Sequence, residues 1–276
     1  MAVGTKKWRL WLIELIVMFF GLLVFFPFVL LIVTSFKTDR KVFDFLNVPD
    51  FTYFDNFAKV LKQASFFQSL GNTVYITGIS ILLLIAVSSM AGYAISRGGG
   101  KLFGIMLMVL LSGMIIPVQV SMVPLFKMGI ALGLSNTRTM LVLLYTAINI
   151  PFAAFIYVGF TKTIPRELEE AGKIDGCNRF NMFWRIIFPL LLPATGTVVV
   201  TTIFPIWNDF QYPLIFLRGD TKQTLISLIF SFRGQYSTEW GPVFALCLLS
   251  TLPLVALFLL VQKQFFKQVT GGALKG

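Results

Sequence analysis

The 276-residue sequence contains no histidine, only two cysteines and only twelve acidic residues. Without histidine it lacks the commonest general base and the commonest metal ligand. Cys177 sits in a polar stretch and Cys247 inside an apolar one, so neither a disulfide between them nor a Cys/His metal cluster is expected. Charged residues make up 13% of the chain, about half the share of an ordinary soluble domain. So few charges cannot clothe the surface of a water-soluble chain this long. What is abundant is apolar: 57% of residues are hydrophobic, 30 of them Phe, and the mean hydropathy is +0.83. This composition belongs to an integral membrane protein, all-α because a helix pairs its own backbone groups in lipid.

The net charge is +11. In a soluble protein that excess would suggest nucleic acid. Here Lys and Arg lie mostly in the gaps between apolar runs, which is how membrane topology is set, so no nucleic-acid partner is expected. Six runs approach the roughly 20 residues that cross a bilayer: 11–34, 70–96, 102–126, 139–160, 186–207 and 242–261. The first follows the basic KKWR but is about twice the length of a signal peptide's apolar core and lacks a small-x-small cleavage site. It reads as a retained span. Pro27, Pro117, Pro151, Pro205 and Pro253 fall within runs and are expected to bend or end helices, or to line a cavity.

Six spans place both termini on one side. With the N-terminus inside, the inner segments carry Lys6, Lys7, Arg9, Arg97, Lys101, Lys162, Arg166, Lys173, Arg179, Arg185, Lys263, Lys267 and Lys275, 13 of the 23 basic residues. That bias favours an N-in, C-in arrangement. The organisation is then a cytoplasmic tail at 1–10, a membrane domain over 11–262 with a cytoplasmic loop at 161–188, and a cytoplasmic tail at 263–276. The 35–69 segment is rich in aromatics and predicts a short surface helix around 57–67.

The spans hold almost no charge; Glu14, near the inner end of the first, is the exception. An ion-coupled transporter usually buries charged groups along its path. A phosphate-binding GxxxxGK[ST] loop is also missing, since Lys101 and Lys173 are each followed by the wrong residue. These absences argue against a self-sufficient secondary transporter or channel. The lack of His and of paired intramembrane carboxylates argues against a membrane-embedded enzyme. Uphill transport would need energy from another subunit.

Between the fourth and fifth runs lies ELEEAGKIDG, 167–176, holding four of the twelve acids. Pro165 suits the first turn of a helix. Glu167, Glu169 and Glu170 then stand near its N-terminus, where the helix dipole favours negative charge. Asp175 followed by Gly176 is a turn signal. Beyond it Phe180, Phe183, Trp184 and Ile187 recur at helical spacing and predict a second amphipathic helix. Two short helices joined at a glycine form a knob that fits a groove on a soluble partner; the plainer reading is a solvated helix face.

The loop resembles the EAA loop of ABC importer permeases, with the pattern E-A-A, three residues, G, nine residues, I, one residue, L-P. Glu170, Ala171, Gly172, Gly176, Ile186 and Pro189 fall on that spacing, with Gly172 in place of the second Ala and Phe188 in place of Leu. Gly172 is expected to weaken the helix by about 1 kcal/mol against Ala. SFKT at 35–38, SLGNTVYIT at 69–77, Ile116 with Pro117, IWNDFQYPL at 206–214, WGPVFA at 240–245 and TGGALKG at the end resemble the carbohydrate-uptake branch, in particular the six-span permease of maltose-type heterodimers.

The resemblance implies the type I ABC importer permease fold, in a bacterial or archaeal cytoplasmic membrane, and no catalysis by this chain. It implies as partners a second permease subunit, two ATP-binding subunits and an extracytoplasmic solute-binding protein, besides membrane lipid. The chain itself would bind no metal or cofactor; ATP and Mg would sit on the partner ATPases. Their binding of ATP would switch the pathway through the docked loops, an alternating-access scheme. The implied docking set is Glu167, Glu170, Ala171, Gly172, Asp175, Gly176, Phe180, Ile186 and Pro189, with Glu170 as polar contact and Gly176 as turn. The tail Ala273, Leu274, Lys275 and Gly276 resembles one that reaches between the ATPases.

For the substrate pathway the candidates are Gln119, Trp207, Asn208 and Asp209. An aromatic face with a hydrogen-bonding neighbour suits a sugar. Equally, Trp207 fits an interface anchor, Asn208 and Asp209 a helix cap or turn, and Gln119 an interhelical hydrogen bond. Asn72 reads as structural. A phosphate substrate would favour Arg or Lys in the pathway, and the span interiors have none, which points to a neutral sugar, an oligosaccharide by the resemblance. Glycerol 3-phosphate or another polar solute is the alternative within the same family.

Overall fold

The computed structural model describes residues 4–38, 41–44, 47–63, 65–219, 221–232 and 238–273. Every regular element there is a helix: α1 (Gly4–Ser35), α2 (Asp55–Lys62), α3 (Ser65–Arg97), α4 (Lys101–Ser112), α5 (Met122–Ala131), α6 (Arg138–Thr163), α7 (Glu167–Ile174), α8 (Arg179–Leu190), α9 (Leu192–Trp207), α10 (Gln211–Phe216), α11 (Leu225–Leu228) and α12 (Trp240–Ala273), with short 3-10 turns between some of them. Four of these hold a stretch long and apolar enough to cross a membrane, and six spans result if each of two bent helix pairs counts as one.

Those bent pairs show which of the prolines expected to bend or end a helix do so. The run at 102–126 is two helical arms, Lys101–Ile115 and Gln119–Ala131, set at 85°. Pro117 explains the break: it forces the preceding residue out of the helical region, and Ile116 is extended at ψ 119°. The run at 186–207 is likewise split, with Arg179–Leu190 and Leu192–Trp207 at 71°. Pro189 and Pro193 flank the bend, each removing a backbone donor. By contrast Pro27, Pro151, Pro205 and Pro253 sit inside helices that continue through them. The predicted surface helix is α2, shorter than expected and ending before residue 63.

The chain divides into two units, Met1–Phe66 with Leu228–Leu252, and Phe67–Ser227 with Pro253–Gly276. In the first unit α1 is apolar all round over 15–33, and none of its most apolar window is buried by protein, the state of a helix whose solvent is lipid or another subunit. The SFKT motif folds into a polar knot below it. Asn56, 1% exposed, donates to the carbonyls of Ser35 and Lys37, both at 2.8 Å. Lys37, 5% exposed, donates to the carbonyl of Asp44 at 2.7 Å. The Phe36 ring packs on Phe51, Phe54 and Phe57, which gives the loop's aromatics a structural role.

In the second unit α6 is the central element, with Tyr145, Ala153, Ala154 and Tyr157 buried. The Tyr157 hydroxyl donates to Thr195 of α9 at 2.9 Å. Helices α3 and α6 meet at Gly92, where an added Cβ would stand 2.5 Å from the Tyr157 Cβ; small residues permit such close crossings. Near the other end of α3, Asn72 donates to the carbonyls of Thr221 at 3.1 Å and Gln223 at 3.0 Å, and accepts from Arg138 at 3.2 Å. The Thr73 hydroxyl accepts the Leu225 amide at 2.9 Å. The irregular segment before α11 is thereby pinned to α3, and Asn72 is structural as read.

Candidate functional site

The acidic loop is two helices joined at a glycine. Helix α7 starts with Arg166 as its cap, so Pro165 stands just ahead of the helix rather than in its first turn. Its end is a Schellman motif: the Cys177 amide donates to the Gly172 carbonyl at 2.9 Å and the Gly176 amide to that of Lys173 at 3.1 Å. Gly176 adopts φ 80° there, the left-handed conformation that favours glycine. Helix α8 follows, capped by Asn178. Its stretch Met182–Ile187 is a π-helix, directly ahead of Pro189; the wider turn lies where the proline ring would crowd an α-helical carbonyl.

The docking set divides by exposure. Glu167, Glu170, Ala171, Asp175, Gly176, Phe180 and Pro189 are exposed, Ile186 is half-buried and Gly172 is buried. Gly172 is more than a weak helix former: a Cβ there would meet Ile186 Cδ1 and Met182 Cε at 2.7 Å. Glycine lets α7 lie tight against α8. Phe183 and Ile187 enter a core with Ala153, Tyr157, Leu191 and Val198, while Phe180 faces outward, 64% exposed. Ile174, not singled out from the sequence, is 86% exposed at the tip of the knob.

Glu169 turns the other way. Its Oε1 accepts from Arg97 Nε, and its Oε2 accepts from the Tyr93 hydroxyl at 2.9 Å. Arg97 also donates to the carbonyl of Ile164, just past α6, at 2.7 Å. The two charged side chains are 13% and 12% exposed. This cluster escaped the sequence reading because 72 residues separate its charged members. A signal existed in retrospect: Tyr93 and Arg97 are spaced i, i+4 on the last turns of a helix. Beside the cluster lies an open cleft of about 600 Å³ whose lining includes Arg97, Arg166, Glu169, Glu170, Lys173 and Arg179.

The pathway candidates occupy different settings. Trp207 is buried at the end of α9. The Asn208 side chain donates to the Phe204 carbonyl at 3.1 Å, and Asp209 accepts the amides of Gln211 at 2.9 Å and Tyr212 at 3.3 Å, opening α10. Asp209 also accepts from the Tyr145 hydroxyl at 2.7 Å. Burial and the neighbouring Asp209 carboxylate push the Tyr212 phenol above its ordinary pKa. Gln119 lies on a separate 3-10 turn, Val118–Ser121, with its side chain exposed. In the tail, Ala273 ends α12, and Leu274, Lys275 and Gly276 lie outside the described residues.

Long apolar helices together with an exposed acidic knob narrow the comparison with known proteins. Residues 85–271 match the family described as binding-protein-dependent transport system inner membrane component. The chain belongs to this family. It is 38% identical over its whole length to the melibiose/raffinose/stachyose import permease protein MelC of Bacillus subtilis strain 168, covering 99% of that protein. It is 35% identical over 252 residues to the probable starch degradation products transport system permease protein AmyC of Thermoanaerobacterium thermosulfurigenes, covering 90% of this chain and 91% of that one. Its fold matches, at TM-score 0.84 and 19% identity, a chain of a bacterial ABC transporter involved in the import of the acidic polysaccharide alginate, covering 96% of this chain and 99% of the other. The protein is thus an ABC importer permease, a non-catalytic membrane transport subunit.

Proposed function

We propose that this permease forms, with a second permease subunit, the transmembrane pathway for an oligosaccharide, and that α7 and α8 dock it onto ATP-binding subunits. The observation that carries the docking is the exposed face of Glu167, Glu170, Ala171, Ile174 and Phe180, set on a pair of helices whose other face is anchored in the protein. Acids at the start of α7 are held by the helix dipole and offer charge-assisted hydrogen bonds to a basic groove. Ile174 and Phe180 add apolar anchors. ATP and Mg remain on the partners, and this chain binds neither.

The same reading makes the two bent pairs spans, six in all, with both termini and the loop cytoplasmic. Charge bias across the loops supports that orientation. Exposed apolar sides on α1, α4 and α5 suit lipid and the second permease. An extracytoplasmic solute-binding protein delivers the sugar, in keeping with the family's description. The relatives' names name neutral oligosaccharides, and the six apolar runs of the sequence hold no Arg or Lys for a phosphate group, although the bent pairs bring in Lys127 on α5 and Arg185 on α8.

The test is a mild-detergent pull-down from the native membrane, with the wild type and Glu170→Lys compared. The wild type is expected to bring a second permease, ATP-binding subunits and a binding protein whose bound sugar names the substrate. Glu170→Lys should insert and keep the second permease while losing the ATPases by at least tenfold. Equal recovery of ATPases by both would defeat the docking assignment.

A further inference from the structure

The three glutamates of the first turn of α7 do different work. Glu167 and Glu170 are exposed. Glu169 is 12% exposed, and both of its carboxylate oxygens are engaged by residues of α3. We infer that Glu169 is a positioning residue that locks the coupling helix to α3, so that the two move as one body when the loop is displaced. The inference rests on the docking reading above and assigns a second role to the same short stretch.

The geometry supports a lock rather than an incidental surface pair. Exposed ion pairs contribute little because long side chains must be ordered in water. Here both side chains are mostly withdrawn from water, so removal of one partner leaves the other charge poorly solvated. Arg97 holds two elements at once, the carboxylate on α7 and the Ile164 carbonyl that follows α6. Tyr93, one turn earlier, bonds Glu169 and also packs its ring against Phe183 of α8, with centroids 5.4 Å apart. The last turns of α3 therefore grip both helices of the loop. The preceding residue, Gly92, is where α3 presses against Tyr157 of α6. A push on α7 thus reaches a tightly packed helix pair directly, with no flexible connection between.

A lock of this kind has a signature that fold stability alone does not. Without it α7 would still dock, and its displacement would stop at the loop. The test uses the assembled transporter in lipid nanodiscs, with and without a non-hydrolysable ATP analogue, reading hydrogen exchange over 167–181 and over 88–100. In the wild type the analogue should change exchange in both segments. In Glu169→Gln and Arg97→Gln the change at 167–181 should persist while that at 88–100 falls at least threefold, and Arg97→Lys, which keeps the charge, should recover part of it. An undiminished change at 88–100 in Glu169→Gln overturns the lock, as does a loss of both changes together, which would mark a merely structural pair. If the wild type shows no change at 167–181, the docking reading falls and takes the lock with it.

Discussion

The glycine that closes α7 offers a quantitative test of how the loop is built. Gly176 has φ 80°, and a Cβ added there meets nothing within 4 Å. The penalty for Gly176→Ala is therefore conformational and not steric. Holding an L-residue in the left-handed region costs about 1–2 kcal/mol. Alanine also restricts the frayed chain more than glycine does, which offsets part of that, leaving a net cost of about 1 kcal/mol. Such a cost raises the frayed population about fivefold. The amides that report it are those of Gly176 and Cys177, which bond to the carbonyls of Lys173 and Gly172. Hydrogen exchange over residues 172–178 is expected to speed up about fivefold in Gly176→Ala and further in Gly176→Val, whose branched side chain tolerates this conformation least. Gly176→Asn, which accepts the left-handed region, should stay within about twofold of wild type. The reasoning fails if alanine exchanges as slowly as glycine, or if asparagine exchanges as fast as valine.

Two further substitutions test the packing that supports the loop and the polar network around Asn72. Gly92→Ala places a methyl against the Tyr157 Cβ and the Ala154 carbonyl, atoms that cannot move without their helix. Overpacking of that kind costs about 1–3 kcal/mol, and a melting temperature in detergent equal to the wild type's would contradict the close crossing. Asn72→Ala removes the donor to the carbonyls of Thr221 and Gln223 and the acceptor of Arg138, part-buried bonds worth about 0.5–1.5 kcal/mol each. Limited proteolysis should then open the chain around 218–225, and protection equal to the wild type's would show that Asn72 is not the pin.

How much of this was legible in the sequence depended on whether the determining forces were local. The all-helical membrane class follows from composition, because lipid leaves an apolar chain few other ways to pair its backbone. The knob was legible too: Asp175 and Gly176 end a helix by local backbone preference, and Phe183 and Ile187 declare a buried face by their spacing. The family spacing of Glu170, Gly176, Ile186 and Pro189 survives because the loop is a local unit. Proline positions were legible only as alternatives. Pro117 marks a break and Pro151 does not, and which occurs depends on whether neighbouring packing holds the helix together around the missing donor.

Tertiary structure decided what the sequence left equivalent. Three glutamates in one turn look alike on paper, yet Glu169 faces Arg97 and Tyr93 while Glu167 and Glu170 face outward. Gly172 looks like a weakened alanine until Ile186 and Met182 are seen to press where a methyl would stand. Ile174 is one more apolar residue until its exposure sets it at the tip of the knob. In each case the deciding contact joins helices that the chain brings together only on folding, and a local pattern carries no record of which face a neighbour will cover.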